Sequence, residues 1–314
     1  MMVTGPRPFR FAAQVSGASS GAEWAEAARK AEDLGYSTLT MPDHFGEQLA
    51  PVPALMAAAA ATTALRIGTL VFCNDYKHPL VLAKEAATLD LLSDGRLELG
   101  LGAGWMRTDY DASGIAYDPP AVRVDRFEEA VTVFKGLFAD GAFSFSGRHY
   151  SITGHDGTPA PVQRPHPPII IGGGGRRVLS IAGREADIVS VNPDLRSGEA
   201  GPEVAPNATP DATARKLAWV REAAGDRFDD IELNVLIGFC MITDDAMSIG
   251  EAMAPTFGVP ASEALHAPIC LIGTVDAMVD ELRRRREEWG FSYIGFESAS
   301  WEAMAPVVSR LAGS

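Results

Sequence analysis

AKEAATLDLLSDGRLELGLGAGW, residues 83–105, is the stretch on which the fold turns. Its first half continues a helical pattern that opens with a proline, Pro79, and runs to Leu92; proline suits a first turn because its missing amide has no partner there anyway. Ser93-Asp94-Gly95 then breaks the helix with residues that favour turns. Arg96–Leu101 reads as a buried strand, and Gly102-Ala103-Gly104-Trp105 as the loop that leaves it. A helix that feeds a strand through a short turn is part of a βαβ unit, and repeated units of this kind build parallel sheets.

The same rhythm extends in both directions. Upstream, Phe9–Gln14, Ser37–Met41 and Arg66–Phe72 read as strands separated by helices over Ala22–Leu34 and Val52–Thr63. The first of these helices carries Trp24, Ala27, Ala28, Ala31 and Leu34 on one face and stops at Gly35. Downstream the rhythm lapses into one helix (Val122–Phe138), a hairpin (Phe143–Phe145 and His149–Ile152 around Ser146-Gly147) and the proline-rich Pro159–Pro168. It resumes with strands at Ile169–Ile171, Asp187–Val191, Ile231–Phe239 and Ser292–Glu297, and helices at Arg176–Gly183, Asp211–Ala224, Val275–Trp289 and Trp301–Leu311. Met241–Pro268 is a second insertion with mixed helical signals. Eight strands are the number a closed (β/α)8 barrel needs. With no linker between halves, residues 1–314 are expected to form a single TIM-barrel domain of the α/β class, with insertions after the fourth and seventh strands.

Composition narrows the function. A net charge of −14 and a pI near 4.9 oppose nucleic-acid binding, which rests on cations neutralising phosphates. Cys73, Cys240 and Cys270 are far apart and lack disulfide or metal spacing, which fits a reducing compartment. Met1–Phe11 has no apolar signal core, and Ala54–Leu65 falls short of the ~20 residues that span a membrane. A soluble cytoplasmic protein with no membrane partner is therefore expected.

In barrels of this kind chemistry sits where strands end. The loops to inspect start near Gln14, Pro42, Cys73, Gly102, Gly172, Asn192, Cys240 and Glu297, and nearly every unusual local sequence falls at one of them. That coincidence argues for an enzyme. In Pro42-Asp43-His44-Phe45, His44 is the leading catalytic candidate, because an imidazole at a strand end exchanges protons near neutral pH. Asp43 either orients that ring, receives backbone hydrogen bonds or caps the loop. The glycines of residues 102–104 permit close approach of main chain to a cofactor, and Trp105 can wall a ring pocket. A nicotinamide fingerprint is excluded: the spacing is GxGxG rather than GxGxxG, the strand is the fourth, and Arg107 to Pro120 reads as loop. Gly172, Gly173, Gly174 and Gly175, followed by Arg176 and Arg177, read either as a phosphate cradle at a helix start or as a flexible turn with solvated arginines. No GK[ST] follows, so this is not a Walker loop. Cys73 reads as a buried inert thiol, Asn74 and Tyr76 as pocket lining, and His78 as structural. Arg283–Arg286, with Glu287 and Glu288 directly after, reads as a solvated helix face.

Taken together, PDHF (42–45), RIGTLVFCNDYKHP (66–79), the block at 83–105, PVQRPHPPIIIGGGG (161–175) and LIGT (271–274) resemble the luciferase-like superfamily. Within it they resemble the deazaflavin-dependent oxidoreductases that use coenzyme F420, over nearly the whole chain. The resemblance implies a bulge with a non-proline cis peptide after the third strand, near Leu70-Val71, behind the central ring. It also implies His44 over the redox-active ring carbon, Gly102, Ala103, Gly104 and Trp105 along the ring, and Gly172–Gly175 with Arg176 at the phosphate-bearing tail. Asp43 and Asn74 complete the expected cofactor contacts. Gln14, Trp105, Tyr110, Asn192 and Glu297 are expected to line the substrate pocket.

One departure is informative. Sugar-phosphate dehydrogenases of this family carry a Glu after the GxG of the fourth strand, where this chain has Trp105. That points away from sugar phosphates toward a larger apolar or aromatic substrate, and leaves His44, Tyr76, Tyr110 or water as proton donor. The expected activity is an F420-dependent reductase passing hydride to an activated C=C or C=N of a small-molecule or peptide-like substrate. A separate F420 reductase would supply the reduced cofactor, and a homodimer is expected. The alternatives are an FMN-dependent luciferase-like monooxygenase and a non-catalytic barrel that serves as a binding protein.

Overall fold

The fold is that of a computed structural model, which describes residues 7–314. Residues 1–6, part of the Met1–Phe11 segment, lie outside the described residues. The strands are β1 (Arg10–Gln14), β2 (Thr38–Met41), β3 (Arg66–Thr69), β4 (Phe72–Cys73), β5 (Leu97–Gly102), β6 (Ala142–Ser146), β7 (Ser151–Asp156), β8 (Ile169–Gly173), β9 (Ile188–Val191), β10 (Glu232–Ile237), β11 (Phe239–Ile242), β12 (Cys270–Gly273) and β13 (Phe291–Phe296). The helices are α1 (Gly21–Asp33), α2 (Pro51–Ala61), α3 (Pro79–Leu92), α4 (Arg107–Ser113), α5 (Pro120–Phe138), α6 (Arg176–Glu185), α7 (Pro210–Ala224), α8 (Ala246–Phe257), α9 (Ala261–His266), α10 (Val275–Trp289) and α11 (Ala305–Leu311).

A nine-segment sheet runs β3-β2-β1-β13-β10-β9-β8-β5-β4 and closes through pairing of β3 with β5. All of its pairings are parallel. β3 and β4 are halves of one strand parted at Leu70-Val71, whose peptide is cis, so the nine segments make the eight strands of a (β/α)8 barrel. The buried runs that mark strands in the sequence are these strands to within a residue or two. Helix starts follow ordinary chemistry: Ser20, Thr209 and Thr274 each accept a hydrogen bond from a first-turn amide of α1, α7 and α10.

The excursions follow the fourth and seventh barrel strands, as expected. Two stretches depart from the sequence reading. Arg107–Pro120 is not all loop: α4 occupies Arg107–Ser113, two turns closed by Gly114 at φ 74°. Seven residues are too few to display an apolar period, which is why the pattern shows no helix there. The strand expected over Ile231–Phe239 ends at Ile237, and the chain leaves the barrel at Gly238. β11 then pairs with β12 as a separate two-stranded parallel sheet, with α8 and α9 between them.

A third correction concerns the arginine run. Arg285 is wholly buried on α10, bonding Glu281 at 2.7 Å and the carbonyls of Leu265, Pro268 and Ala267, so it ties α9 to α10. Arg283, Arg284 and Arg286 remain on the outer face. No helix among the described residues is long and apolar enough to cross a membrane, and all three cysteines are free.

Candidate active site at the C-terminal mouth of the barrel

Strand side chains alternate between the two faces of a sheet, so one inward residue per strand fixes the rest. The Tyr293 hydroxyl donates to Glu98 Oε2 at 3.0 Å across the barrel, and the Arg10 guanidinium lies 3.5 Å over the Tyr293 ring. Counting in twos from these residues, the inward positions are Arg10, Ala12 and Gln14 on β1, and Glu98, Gly100 and Gly102 on β5. They continue with Ile170 and Gly172 on β8, Ser190 and then Asn192 beyond β9, Asn234 and then Gly238 beyond β10, and Tyr293, Gly295 and then Glu297 beyond β13.

The upper layer of the interior therefore includes Gln14, Leu70, Gly102, Gly172, Asn192 and Glu297, all singled out in the sequence, together with Thr40 and Gly238, which were not. Gln14 Nε2 donates to the Leu70 carbonyl at 3.5 Å, and Asn192 donates to the Ser190 carbonyl at 3.3 Å. Two glycines are required by space: a Cβ on Gly102 would lie 2.5 Å from Val71 Cγ2, and one on Gly172 would lie 3.2 Å from Val71 Cγ1. The Val71 side chain thus sits between them.

His44 stands at the rim after β2. Its Nδ1 lies 2.6 Å from Asp109 Oδ2, which also accepts the Tyr76 hydroxyl at 2.9 Å, while Asp109 Oδ1 accepts the Phe45 amide at 3.2 Å. A carboxylate with two other donors on it only accepts, so Nδ1 of His44 carries the proton and Nε2 is left for other work. Asp109 is 6% exposed and His44 23%, so the contact is shielded at one end and reachable at the other. Trp105 stands edge-on to His44, with ring centroids 5.6 Å apart. Asp109 went unnoticed in the sequence; its one local sign is an acid four residues past Trp105.

The neighbouring groups are bound rather than free. Asp43 Oδ2 accepts the Cys73 amide at 3.1 Å; burial raises its pKa against that bond and the nearby Lys77 and His44. The Cys73 thiol lies 3.5 Å from the Tyr110 hydroxyl and is pushed up to about 12 by burial, which leaves it unreactive. Tyr110 is buried and donates to Asp75 at 2.8 Å, and Asp75 in turn binds Arg126. Burial also pushes the Tyr76 and Tyr110 phenols above their ordinary value. Asn74 is buried with its amide on the Tyr150 hydroxyl at 3.1 Å. His78 caps α3, accepting from the Leu80 amide at 3.2 Å.

At the end of β8, Gly175 caps α6 without a side-chain bond, and the first intrahelical bond is from the Leu179 amide to the Gly175 carbonyl. The amides of Arg176, Arg177 and Val178 are therefore open, at a helix end that favours anions. Arg176 reaches Glu222 at 3.2 Å, and Arg177 pairs with Asp125. Gly174 is pressed on the next loop, where a Cβ would fall 2.2 Å from the Pro193 carbonyl oxygen. Lys216 fixes that loop from behind, donating to the carbonyls of Asn192 at 2.7 Å and Asn207 at 2.6 Å; burial lowers its pKa to about 8. Periodicity places Lys216 on the buried face of α7, but its carbonyl partners lie outside its own helix and carry no sequence sign.

Glu297 is half-buried beyond β13. Its Oε1 and Oε2 lie 3.0 and 3.4 Å from where a Cβ on Gly238 would be, and it has no hydrogen-bond or ion-pair partner among the described residues. Burial alone raises its pKa.

The comparisons with known proteins bear on the family and the fold. The family model described as luciferase-like monooxygenase matches residues 6–257. An F420-dependent glucose-6-phosphate dehydrogenase of Nakamurella multipartita is 30% identical over 239 residues, covering 72% of this chain and 66% of that protein. An FMNH2-dependent dimethylsulfone monooxygenase of Pseudomonas putida is 32% identical over 131 residues, 42% of this chain and 36% of that protein. The chain thus spans about a third to two thirds of the length of these curated relatives. Among solved structures, a coenzyme F420 dependent tetrahydromethanopterin reductase from Methanopyrus kandleri shares the fold, with a TM-score of 0.75 at 19% identity over 96% of this chain and 97% of that one. With the family model matched over most of its length, the chain belongs to the luciferase-like monooxygenase family.

Proposed function

We propose that the protein is a coenzyme F420-dependent oxidoreductase acting as a reductase on an activated C=C or C=N of a small organic substrate. The observation that carries this reading is His44 at the barrel mouth, its Nδ1 held by buried Asp109 and its ring edge-on to Trp105. The residues present suit a deazaflavin: Val71 set against side-chain-free Gly102 and Gly172 leaves room for a ring, and open amides at the start of α6 suit an anionic tail. When bound, this cofactor supplies a hydride and no oxygen activation.

The chain's own residues then have separable tasks. Val71 backs the ring, with Gly102, Ala103, Gly104 and Trp105 along its edge and Asp43 and Asn74 shaping the loops beside it. Gly172–Gly175 and the first amides of α6 hold the tail, with Arg176 adding positive charge. Asp109 fixes the His44 tautomer, so Nε2 hydrogen-bonds toward the ring or substrate in one orientation. Trp105, Phe45 and Tyr76 exclude water from one side. Gln14, Tyr110, Asn192 and Glu297 belong to the substrate side, Tyr110 as support from below. Trp105, in the place of an acid, favours an apolar or aromatic substrate. The whole chain acting as one domain, its pairing into a homodimer and its supply of reduced cofactor by a separate F420 reductase are parts of the same proposal.

The test is a titration of the purified protein with F420 and with FMN, followed by fluorescence, then anaerobic reoxidation of reduced F420 with an enone. Binding of F420 together with enone-dependent reoxidation is the expected result. Binding of FMN alone would overturn this reading in favour of a flavin monooxygenase. That second reading has the FMNH2-dependent relative behind it, and oxygen uptake with reduced FMN would mark it.

A further inference from the structure

Six hydroxyl or carboxyl groups near the mouth are already committed. The Tyr76 proton is on Asp109, the Tyr110 proton is on Asp75, and the carboxylates of Asp43, Asp75, Asp109 and Asp194 all accept hydrogen bonds or ion pairs. Glu297 differs from every one of these. It faces inward by the alternation that sends Tyr293 and Gly295 into the barrel, and it leans over Gly238, its partner position just beyond β10 by continuation of the register Ile237↔Phe296. The residue after it is tied to the rim, with Ser298 Oγ donating to the Gln14 carbonyl at 2.9 Å. Gln14 in turn reaches Leu70.

We infer that Glu297 is the acid of the reduction, handing a proton to the substrate across the barrel mouth beside Gly238. The inference rests on the hydride-transfer reading above. In the step, the Glu297 O–H bond breaks and a new bond to hydrogen forms at the substrate atom next to the carbon that receives hydride. The two electrons arrive with that hydride from the reduced deazaflavin. The substrate has then gained one hydride and one proton, and the carboxylate regains its proton from water. A carboxyl suits this task when it is held protonated near working pH, which requires desolvation without a counter-charge. Glu297, half-buried and without a counter-charge, is moved in that direction. The titratable group that faces it is the Cys240 thiol on β11, pushed up to about 12 by burial and so neutral.

The first arm of the experiment uses the cofactor-free protein. A carbon-13 carboxyl titration should show one Glu resonance with a midpoint above the ordinary value of about 4.3, absent in Glu297→Gln. A missing resonance that titrates at or below that value overturns the inference. The second arm follows reoxidation of reduced F420 by cyclohexenone. Glu297→Gln should lower kcat by roughly 10²–10³-fold with little change in KM or F420 binding, and abolish the alkaline limb of the profile. Glu297→Asp should recover part of the loss. Glu297→Gln with the wild-type kcat and pH profile overturns the inference and leaves the hydride reading intact. A wild-type protein that binds no F420 overturns both.

Discussion

Two carboxylates face the interior of the same barrel from opposite ends and receive opposite treatment. Glu98, toward the N-terminal end, accepts from Arg10 at 2.6 Å, Arg66 at 2.7 Å and the Tyr293 hydroxyl at 3.0 Å. Arg10 also binds Glu232 with two nitrogens. Glu297, at the C-terminal end, has none of this. Burial pushes both carboxyls upward, but at Glu98 the two guanidiniums win and hold it below the ordinary range, whereas at Glu297 nothing opposes burial. A buried charge that is fully paired fixes geometry; an uncompensated one is free to trade a proton. On the proposed function, one end of the barrel is built for rigidity and the other for chemistry, as in barrels generally.

The largest effect should come from breaking the paired end. Glu98→Ala leaves Arg10 and Arg66 facing the interior with a partner lost, and a broken buried pair costs about 3–5 kcal/mol. Urea unfolding at pH 7 should show this loss, and a change below about 1 kcal/mol would mean the network is ornamental. The sign with pH follows from the depressed folded pKa. The contribution of Glu98 is present above its unfolded pKa and is lost as pH falls through the folded one. Wild type should therefore lose stability on acidification more steeply than Glu98→Gln.

At the open end, the comparable change is Asp109→Asn. It removes a buried, charge-assisted hydrogen bond worth about 1.5–3 kcal/mol, so kcat/KM should fall by roughly 10–150-fold. An unaltered rate would show that His44 is oriented by something other than Asp109. The tyrosine pair gives a control: Tyr76→Phe removes one donor to the same oxygen but leaves the His44 contact, and should cost less.

How much of this was legible beforehand depends on the range of the interaction. The strands were legible because a buried parallel strand is a local run, such as Ile169–Ile171, bounded by glycine. The upper-layer residues were legible because strand ends carry the loops, and the alternation that turns Glu297 inward is itself local. Asp109 was not, because its partner is 65 positions away and its own helix has only two turns. Arg285 lay within reach: Met278, Leu282, Arg285 and Trp289 fall on one helical stripe and all are buried. Reading the arginines as a block hid a residue that periodicity places inside. Lys216 is the same case, sharing the buried face of α7 with Thr213, Leu217 and Val220.

A smaller effect separates binding from folding on the phosphate side. Arg176 pairs with Glu222 at the surface, both of them well exposed, and such pairs contribute about 0–1 kcal/mol. Arg176→Ala should leave the melting temperature nearly unchanged while weakening F420 binding several-fold by fluorescence titration. A loss of melting temperature with intact affinity would remove Arg176 from the cofactor site and return the glycine loop to an ordinary turn.

The smallest effect is the sharpest test of the comparison, because its sign is opposite to that at Glu98. A carboxyl whose folded pKa lies above its unfolded one is favoured by folding while protonated, and that contribution is lost as pH rises through the folded pKa. At pH 8 the wild-type fold carries a half-buried carboxylate with no partner, a burden that the neutral amide of Glu297→Gln does not share. Solvent reaches the group and screens most of the cost, so the variant should melt higher by only about 1 °C at pH 8. The difference should close as pH falls below the raised folded pKa, where both side chains are neutral in the fold. A variant that melts lower at pH 8 would mean the carboxylate has stabilising contacts, and then the two ends of the barrel would not differ in kind. A gap that opens with rising pH, alongside the lost rate, would show that the residue costs stability where it supplies chemistry.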